Sequence, residues 1–364
     1  MTTDEYWYWL CNIENVWQQD LDRLFSIFDS PEEIYKVQPY QLKELKILTA
    51  DQIKALYRSR NEKKIVEKLN KLYKEGIRFV HKESSDFPER LKIIEGCPYS
   101  LYVKGQLPDN DRHAAGVVGA RSCSRYGREM TEVFTKELAV RGVDIISGMA
   151  HGIDSISARA ALDAGGRTFA VLGSGLNVIY PRENIELYYE IILKGGGIIS
   201  EYPLDTPPLG WQFPHRNRLI SGLSDILLVM EARKKSGTLI TAGFALDQGK
   251  DVYALPGRVD DPLSEGCNKM IADGAGVLLS PEYLIEDFLG RYAPGSREKA
   301  EIIFAEDEQD IKVIYLLLDR DGMDINDIAA KAGRPLEDVA AALTELELKG
   351  LTKEISRGVY VGTK

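Results

Sequence analysis

Nowhere in its 364 residues does the chain approach the roughly eighteen consecutive apolar side chains that a membrane-spanning helix needs, so no membrane association is expected. Cysteine is scarce. The four present, Cys11, Cys97, Cys123 and Cys267, lie far apart without a CxxC pair, which excludes a zinc knuckle and a disulfide framework and fits reduced thiols in the cytoplasm. Histidine is equally sparse. His81, His113, His151 and His215 show neither ligand spacing such as HxxxH nor a nucleophile partner, so no metal and no catalytic residue is expected. The opening Met1-Thr-Thr-Asp-Glu5 is acidic and has no basic n-region of a signal peptide. Two nucleotide signatures are also missing. There is no G-x-G-x-x-G after the first core strand with an acidic residue ending the second, and no G-x-x-x-x-G-K-[ST], so a dinucleotide enzyme and a P-loop ATPase are both excluded and no cofactor is expected.

Positive charge is in deficit overall. A net charge of −10 argues against nucleic acid as a partner. The deficit is uneven, however: from Arg112 to Asp260 acids and bases roughly balance, and most excess acid lies after Pro281. A basic groove can therefore sit inside an acidic protein.

What is present divides into blocks. Residues 1–75 read as short helices, with Leu21, Leu24, Phe25 and Phe28 at helical spacing, Ser30-Pro31 as a cap and restart, and a basic amphipathic helix from Asn61 to Tyr73 stopped by Gly76. Tyr6, Trp7, Tyr8, Trp9 and Trp17 either form the core of this block or stack bases. Over residues 76–290 the period changes, and apolar runs at Ala115–Val118, Val143–Ile146, Thr168–Leu172, Gly197–Ile199, Ile226–Met230 and Val252–Leu255 alternate with amphipathic segments. Strands without polar alternation, separated by helices, predict a doubly wound α/β domain with a mostly parallel, Rossmann-like sheet. Residues 291–307 read as a polar linker. In 308–364, three helices (Ile311–Leu318, Ile325–Ala332, Pro335–Leu348) and a hairpin predict a winged helix. Its third helix carries Glu337, Asp338, Glu345 and Glu347 and would be repelled by phosphates, which favours a protein-binding or regulatory module over a duplex reader.

Ligands of open α/β sheets bind beyond the carboxyl ends of the strands, and here those ends are rich in glycine. The turns are Gly119-Ala120-Arg121-Ser122, Ser147-Gly148-Met149-Ala150-His151-Gly152, Gly173-Ser174-Gly175 and Lys235-Ser236-Gly237-Thr238. Glycine admits an anion close to backbone N–H groups, and each helix start adds partial positive charge, so the four turns predict a long anion-binding rim.

In order along the chain, Val118-Gly-Ala-Arg121, Ser147-Gly-x-Ala-x-Gly-Ile-Asp154, Leu172-Gly-x-Gly-x-x-x-x-Tyr-Pro181, Ser200-Glu-Tyr-Pro203, Phe213-Pro-x-Arg-Asn-Arg218-x-Ile-Ser-Gly222, Ser236-Gly-Thr-Leu-Ile-Thr241 and Ala254-Leu-Pro-Gly257 together resemble the DNA processing protein A (DprA/Smf) family, from about Phe87 to Phe288. The resemblance implies a small helical domain (SAM or helix-hairpin-helix-like) before the core and a winged helix after it. It also implies single-stranded DNA bound along the core, a homodimer of cores, and delivery of the strand to the RecA recombinase in natural transformation. A single-strand-binding protein or a regulator is the partner expected at the winged helix.

Beyond the four turns, the candidate DNA contacts are Arg182, the pair Arg216 and Arg218 with Asn217 between them, and Trp211 and Phe213 as stacking surfaces. Arg216 and Arg218 point one way if the chain is extended there and diverge if it is helical. The resemblance assigns Leu246 and Ile271 to the core–core contact. A basic residue found near Gly210 in relatives is absent. The competing reading is a hydrolase of nucleoside monophosphates, whose G-G-x-G-T-x-x-E turn is partly matched at Ser236-Gly237-Thr238. Thr241 replaces the expected glutamate, and Asp154, Glu201 and Glu231 are the remaining acids.

Overall fold

The computed structural model describes residues 1–292, 309–318, 322–348, 352–356 and 358–362. Most of the expected 291–307 linker lies outside the described residues, as does Arg357 of the expected hairpin turn. Two units divide at Phe288/Leu289.

The first unit opens with six helices, α1 (Thr3–Cys11), α2 (Gln18–Phe25), α3 (Pro31–Lys36), α4 (Pro39–Leu45), α5 (Ala50–Arg58) and α6 (Glu62–Lys74). Their starts are set by side chains: Thr2, Ser30, Thr49 and Asn61 each accept a hydrogen bond from a first-turn amide. The helices share one apolar cluster with the sheet. Trp7, Leu24 and Leu72 belong to the same cluster as Tyr102, Leu172 and Ile198. Trp7 is fully buried, stacks on Phe25 and His81, and donates its indole N–H to Glu83 at 3.0 Å. For Trp7, Tyr8 and Trp9 the core alternative therefore holds, while Trp17 remains 58% exposed.

The sheet has nine strands, β1 (Ile77–His81), β2 (Ser100–Gly105), β3 (Ala114–Val118), β4 (Asp144–Ser147), β5 (Thr168–Leu172), β6 (Gly197–Ser200), β7 (Ile226–Val229), β8 (Asp251–Ala254) and β9 (Gly276–Val277). Their order is β1-β2-β6-β5-β4-β3-β7-β8-β9, parallel from β6 to β9, with β2 antiparallel to β6 and β1 antiparallel to β2. The six predicted strands are β3 to β8. β1, β2 and the two-residue β9 are not among the strands expected from sequence. In β1 the charged Arg78 and the polar His81 interrupt the apolar run, yet His81 is buried because Trp7 covers its ring and Asp4 meets its Nε2 at 3.1 Å.

Between the strands run α7 (Glu89–Lys92), α8 (Arg125–Val140), α9 (Ile153–Asp163), α10 (Ile185–Leu193), α11 (Gln212–Gly222), α12 (Gly237–Asp247) and α13 (Glu265–Ala272), and α14 (Pro281–Tyr292) follows β9. From β3 the chain winds outward through β4, β5 and β6, then crosses back to lay β7 on the other side of β3. Right-handed crossovers of opposite direction place their helices on opposite faces, which leaves a crevice between the carboxyl ends of β3 and β7.

The second unit contains α15 (Gln309–Leu317), α16 (Ile325–Ala332) and α17 (Leu336–Leu348), with β10 (Met323–Asp324), β11 (Thr352–Ser356) and β12 (Val359–Gly362) ordered β10-β12-β11. Ile314, Ile328, Val339, Leu343 and Leu346 form its core. Gly333, at φ +64°, makes the turn between α16 and α17. This is a winged helix, and Glu337, Asp338 and Glu347 of α17 are exposed. No helix among the described residues is long and apolar enough to cross a membrane.

Because Trp7 links the helices to the sheet edge, Trp7→Ala is expected to cost about 3–5 kcal/mol of stability, measured by urea denaturation. A loss below about 1 kcal/mol would show that the helical segment contributes little to this core.

Candidate nucleic-acid interface

At the crevice between β3 and β7 lies a cavity of about 440 Å³. One wall is the turn after β3, with Gly119, Ala120 and Arg121; the other is the start of α12, with Ser236, Gly237 and Thr238; Phe213, Arg216 and Asn217 of α11 line it between them. The first and fourth glycine-rich turns thus face one cavity. Arg121 and Ser122 are exposed, and the Arg121 guanidinium lies 5.5 Å from the Phe213 ring centroid. Tyr180 stands beside Phe213 at 5.6 Å, 44% exposed, and extends the aromatic surface towards His151. Tyr180 is not among the contacts expected from sequence. Its place next to Pro181 in the matched motif was the available signal.

The fourth turn is open. Arg233, Lys234 and Lys235 are exposed ahead of α12, and the Ser236 hydroxyl accepts from the Thr238 amide at 3.1 Å. A Cβ on Gly237 would meet nothing within 4 Å, so packing does not require glycine there and the helix start is free to be approached. In the first turn, by contrast, packing accounts for the glycine. A Cβ on Gly119 would come within 2.6 Å of Ile153, and one on Gly152, at φ +72°, would meet the Ala120 carbonyl at 2.3 Å. The two turns are glycine-rich partly so that they can lie against each other.

The second and third turns differ from the expectation of four equivalent anion seats. In the second, Ser147 donates to the Val117 carbonyl at 2.7 Å, Met149 is buried in the core, and the Ala150 amide donates to Asp154 at 3.3 Å. The Gly148 carbonyl accepts from Arg216 at 3.1 Å. The place an anion would take is filled by the chain's own carboxylate, and His151 alone of this turn is exposed, 3.7 Å from Glu183. The third turn is roofed over. Gly173, Ser174 and Gly175 are buried, the Gly175 amide donates to the Thr206 carbonyl at 3.0 Å, and Phe213 covers Gly173.

Residues 216–218 lie inside α11, so the two arginines diverge. Arg216 is 4% exposed, donates to the Gly148 and Val171 carbonyls and to Asn217, and sits beside Asp154. Burial pulls its pKa down to about 10, and burial pushes that of Asp154 up against the opposing pull of Arg216. Arg218 turns away from the cavity to Glu201 at 2.6 Å, the Gly96 carbonyl at 3.0 Å and Gln18 at 3.0 Å. Both arginines therefore brace the site internally rather than project from it. Trp211 also leaves this cavity, meeting Trp17 edge-on at 5.9 Å. Arg182 is exposed at the start of a short turn, Arg182–Asn184. Leu246 is 62% exposed near the end of α12, whereas Ile271 is partly buried against the core.

The acids have structural partners. Glu231 accepts from the Ser124 amide at 2.9 Å at the start of α8, Asp154 faces Arg216, and Glu201 pairs with Arg218. Among the described residues no group of three or more His, Cys, Asp or Glu is placed to hold a metal ion.

A partly aromatic crevice with an exposed arginine at the switch point of a Rossmann-like sheet, followed in the chain by a winged helix, defines a two-unit α/β protein with an accessory module. Residues 78–289 match the family model of DNA recombination-mediator protein A, and residues 304–354 match that of the DprA winged helix domain. The chain belongs to this DprA/Smf family. It is 40% identical over 282 residues to protein Smf of Escherichia coli, covering 76% of this chain and 75% of that one, and 39% identical over 248 residues to DNA processing protein DprA of Bacillus subtilis, covering 67% and 83%. Its fold is similar to the crystal structure of DNA processing protein A from Streptococcus pneumoniae, with a TM-score of 0.67, 28% identity, and coverage of 79% of this chain and 98% of that one. It is also similar to DNA processing protein A from Helicobacter pylori, described for its single-stranded DNA binding mode, at a TM-score of 0.52, 29% identity, and coverage of 59% and 97%.

His215, on α11 but outside this cavity, gives the fold a pH dependence. Burial, helped by Arg218, lowers its pKa from 6.5. Below pH 6.5 the unfolded chain takes up a proton that the folded chain refuses, so stability falls from pH 6.5 down to the lowered value and recovers as pH rises. His215→Gln is expected to flatten that part of a stability–pH profile measured by denaturation. A profile that parallels the wild type through the window would refute the assignment.

Proposed function

We propose that the chain binds single-stranded DNA across the β3/β7 crevice and passes it to the RecA recombinase during natural transformation, without itself catalysing a reaction. One observation carries the reading: the exposed Arg121 stacked on Phe213 and the open, basic start of α12 face each other across one cavity. Arg121 and the Gly237–Thr238 amides are suited to phosphates, while Phe213 and Tyr180 offer faces for unpaired bases. Single strands suit this arrangement because their bases are free to stack. The DNA-processing and recombination-mediator relatives and the single-strand binding described for the Helicobacter pylori protein support the same reading.

Arg182 and Lys235, both exposed, extend the phosphate path, and His151 lies beside the aromatic surface. The buried residues of the second and third turns, with Arg216 and Arg218, act by holding this surface in shape. In the dimer we propose, Leu246 and Ile271 contribute to the core–core contact, and the acidic α17 directs the winged helix to a protein, such as a single-strand-binding protein or a regulator. The hydrolase alternative gains no support from the acids, because Asp154, Glu201 and Glu231 all have internal partners and Thr241 occupies the glutamate position.

Arg121→Ala is expected to weaken binding of a fluorescent oligo-dT by about tenfold or more and to reduce the salt dependence by about one released ion. A salt-series titration with matched duplex as competitor measures both effects. Binding indifferent to Arg121, or no preference for the single strand, would contradict the proposal.

A further inference from the structure

A second and larger cavity, of about 720 Å³, lies between the α1–α2 loop and the segment leading into α11. Its size is that of a small-molecule site. Trp17 and Trp211 stand on its wall, 58% and 50% exposed. The other two tryptophans of the chain, Trp7 and Trp9, are 0% and 2% exposed and donate their indole N–H groups to Glu83 and Ser59. The contrast separates two tryptophans that build the core from two that meet edge to face on the cavity wall and stay half exposed. Asn15 and Gln19, both exposed, add side-chain amides, each able to donate and accept. The lining includes Glu14 and Glu201 and no lysine or arginine. The wall also holds an incomplete bond: the buried Oε2 of Glu201 has no hydrogen-bond donor, with His215 Nδ1 3.6 Å away.

We propose that this cavity receives a single nucleobase, turned out of a DNA strand whose phosphates lie on the neighbouring basic crevice. The inference rests on the single-strand reading above. Glu14 is exposed, Glu201 is already paired with Arg218, and no lysine or arginine of the lining is left to seat a phosphate, whereas a neutral flat ring can stack on indole and pair its edge with amides. The position is suitable as well. Gly210 and Phe213, on either side of Trp211, line the crevice cavity, so a strand passing Phe213 runs beside the second opening. The same segment thus turns one aromatic residue to each cavity.

The test compares the full-length chain binding an intact oligonucleotide and the same strand with abasic positions, in wild type, a Trp17→Ala/Trp211→Ala double variant and Arg121→Ala. The double variant is expected to bind the intact strand about tenfold more weakly while binding the abasic strand as wild type does. Arg121→Ala should weaken both. An unchanged affinity of the double variant for the intact strand, or equal losses on both strands, would overturn the base pocket; the first result is also expected if the cavity serves a basic peptide instead. Should the double variant fail to fold, wild-type tryptophan emission decides, because an intact strand should quench it and a saturating abasic strand should not. Equal quenching refutes the pocket. A wild type that binds no single strand removes the underlying reading too, which is distinct from binding that ignores the bases.

Discussion

Arg216 is a charge buried at the carboxyl end of the sheet, and the crevice is built around it. Its guanidinium holds the carbonyls of Gly148 after β4 and Val171 in β5, so two strand ends are fixed to α11 by one side chain. Removing a charge from water is costly unless it is paired and hydrogen-bonded, and here two carbonyls, Asn217 and the neighbouring Asp154 supply the compensation. Asp154 in turn accepts from the Ala150 amide and fills the second turn. With α11 held in this way, Phe213 stands where Arg121 can lie against it. The exposed Arg121 thus depends for its place on the buried Arg216.

The parallel core could be read from sequence because its signal is strong: unbroken apolar runs between amphipathic helices have few alternative folds. The three winged-helix helices were equally visible. The antiparallel edge was not, because β1 places Arg78 and His81 among its apolar residues, and His81 is buried only through Trp7 and Asp4, more than seventy residues away in sequence. That pairing is tertiary and leaves no local pattern.

The site was legible in part. The first and fourth turns were read correctly as neighbours of strand ends, and their meeting across one cavity follows from the crossover that puts β7 next to β3. Glycine content misled at the other two turns. A glycine that admits a ligand and a glycine that admits another piece of backbone look the same in sequence; Gly237 faces open space, whereas a Cβ on Gly148 would lie 2.6 Å from the Arg216 guanidinium and from the Asp154 carboxylate. Arginine misled for a similar reason, since the helical setting of Arg216 and Arg218 sends one to the strand ends and the other to Glu201.

The central claim is that single-stranded DNA lies against the turn after β3 and the start of α12. Amide hydrogen exchange of the full-length chain, with and without a saturating oligonucleotide, tests it without any substitution. The account predicts added protection concentrated at residues 119–122 and 235–238, with little change at the already closed turn 173–175. Protection that appears elsewhere and spares both walls of the crevice would contradict it.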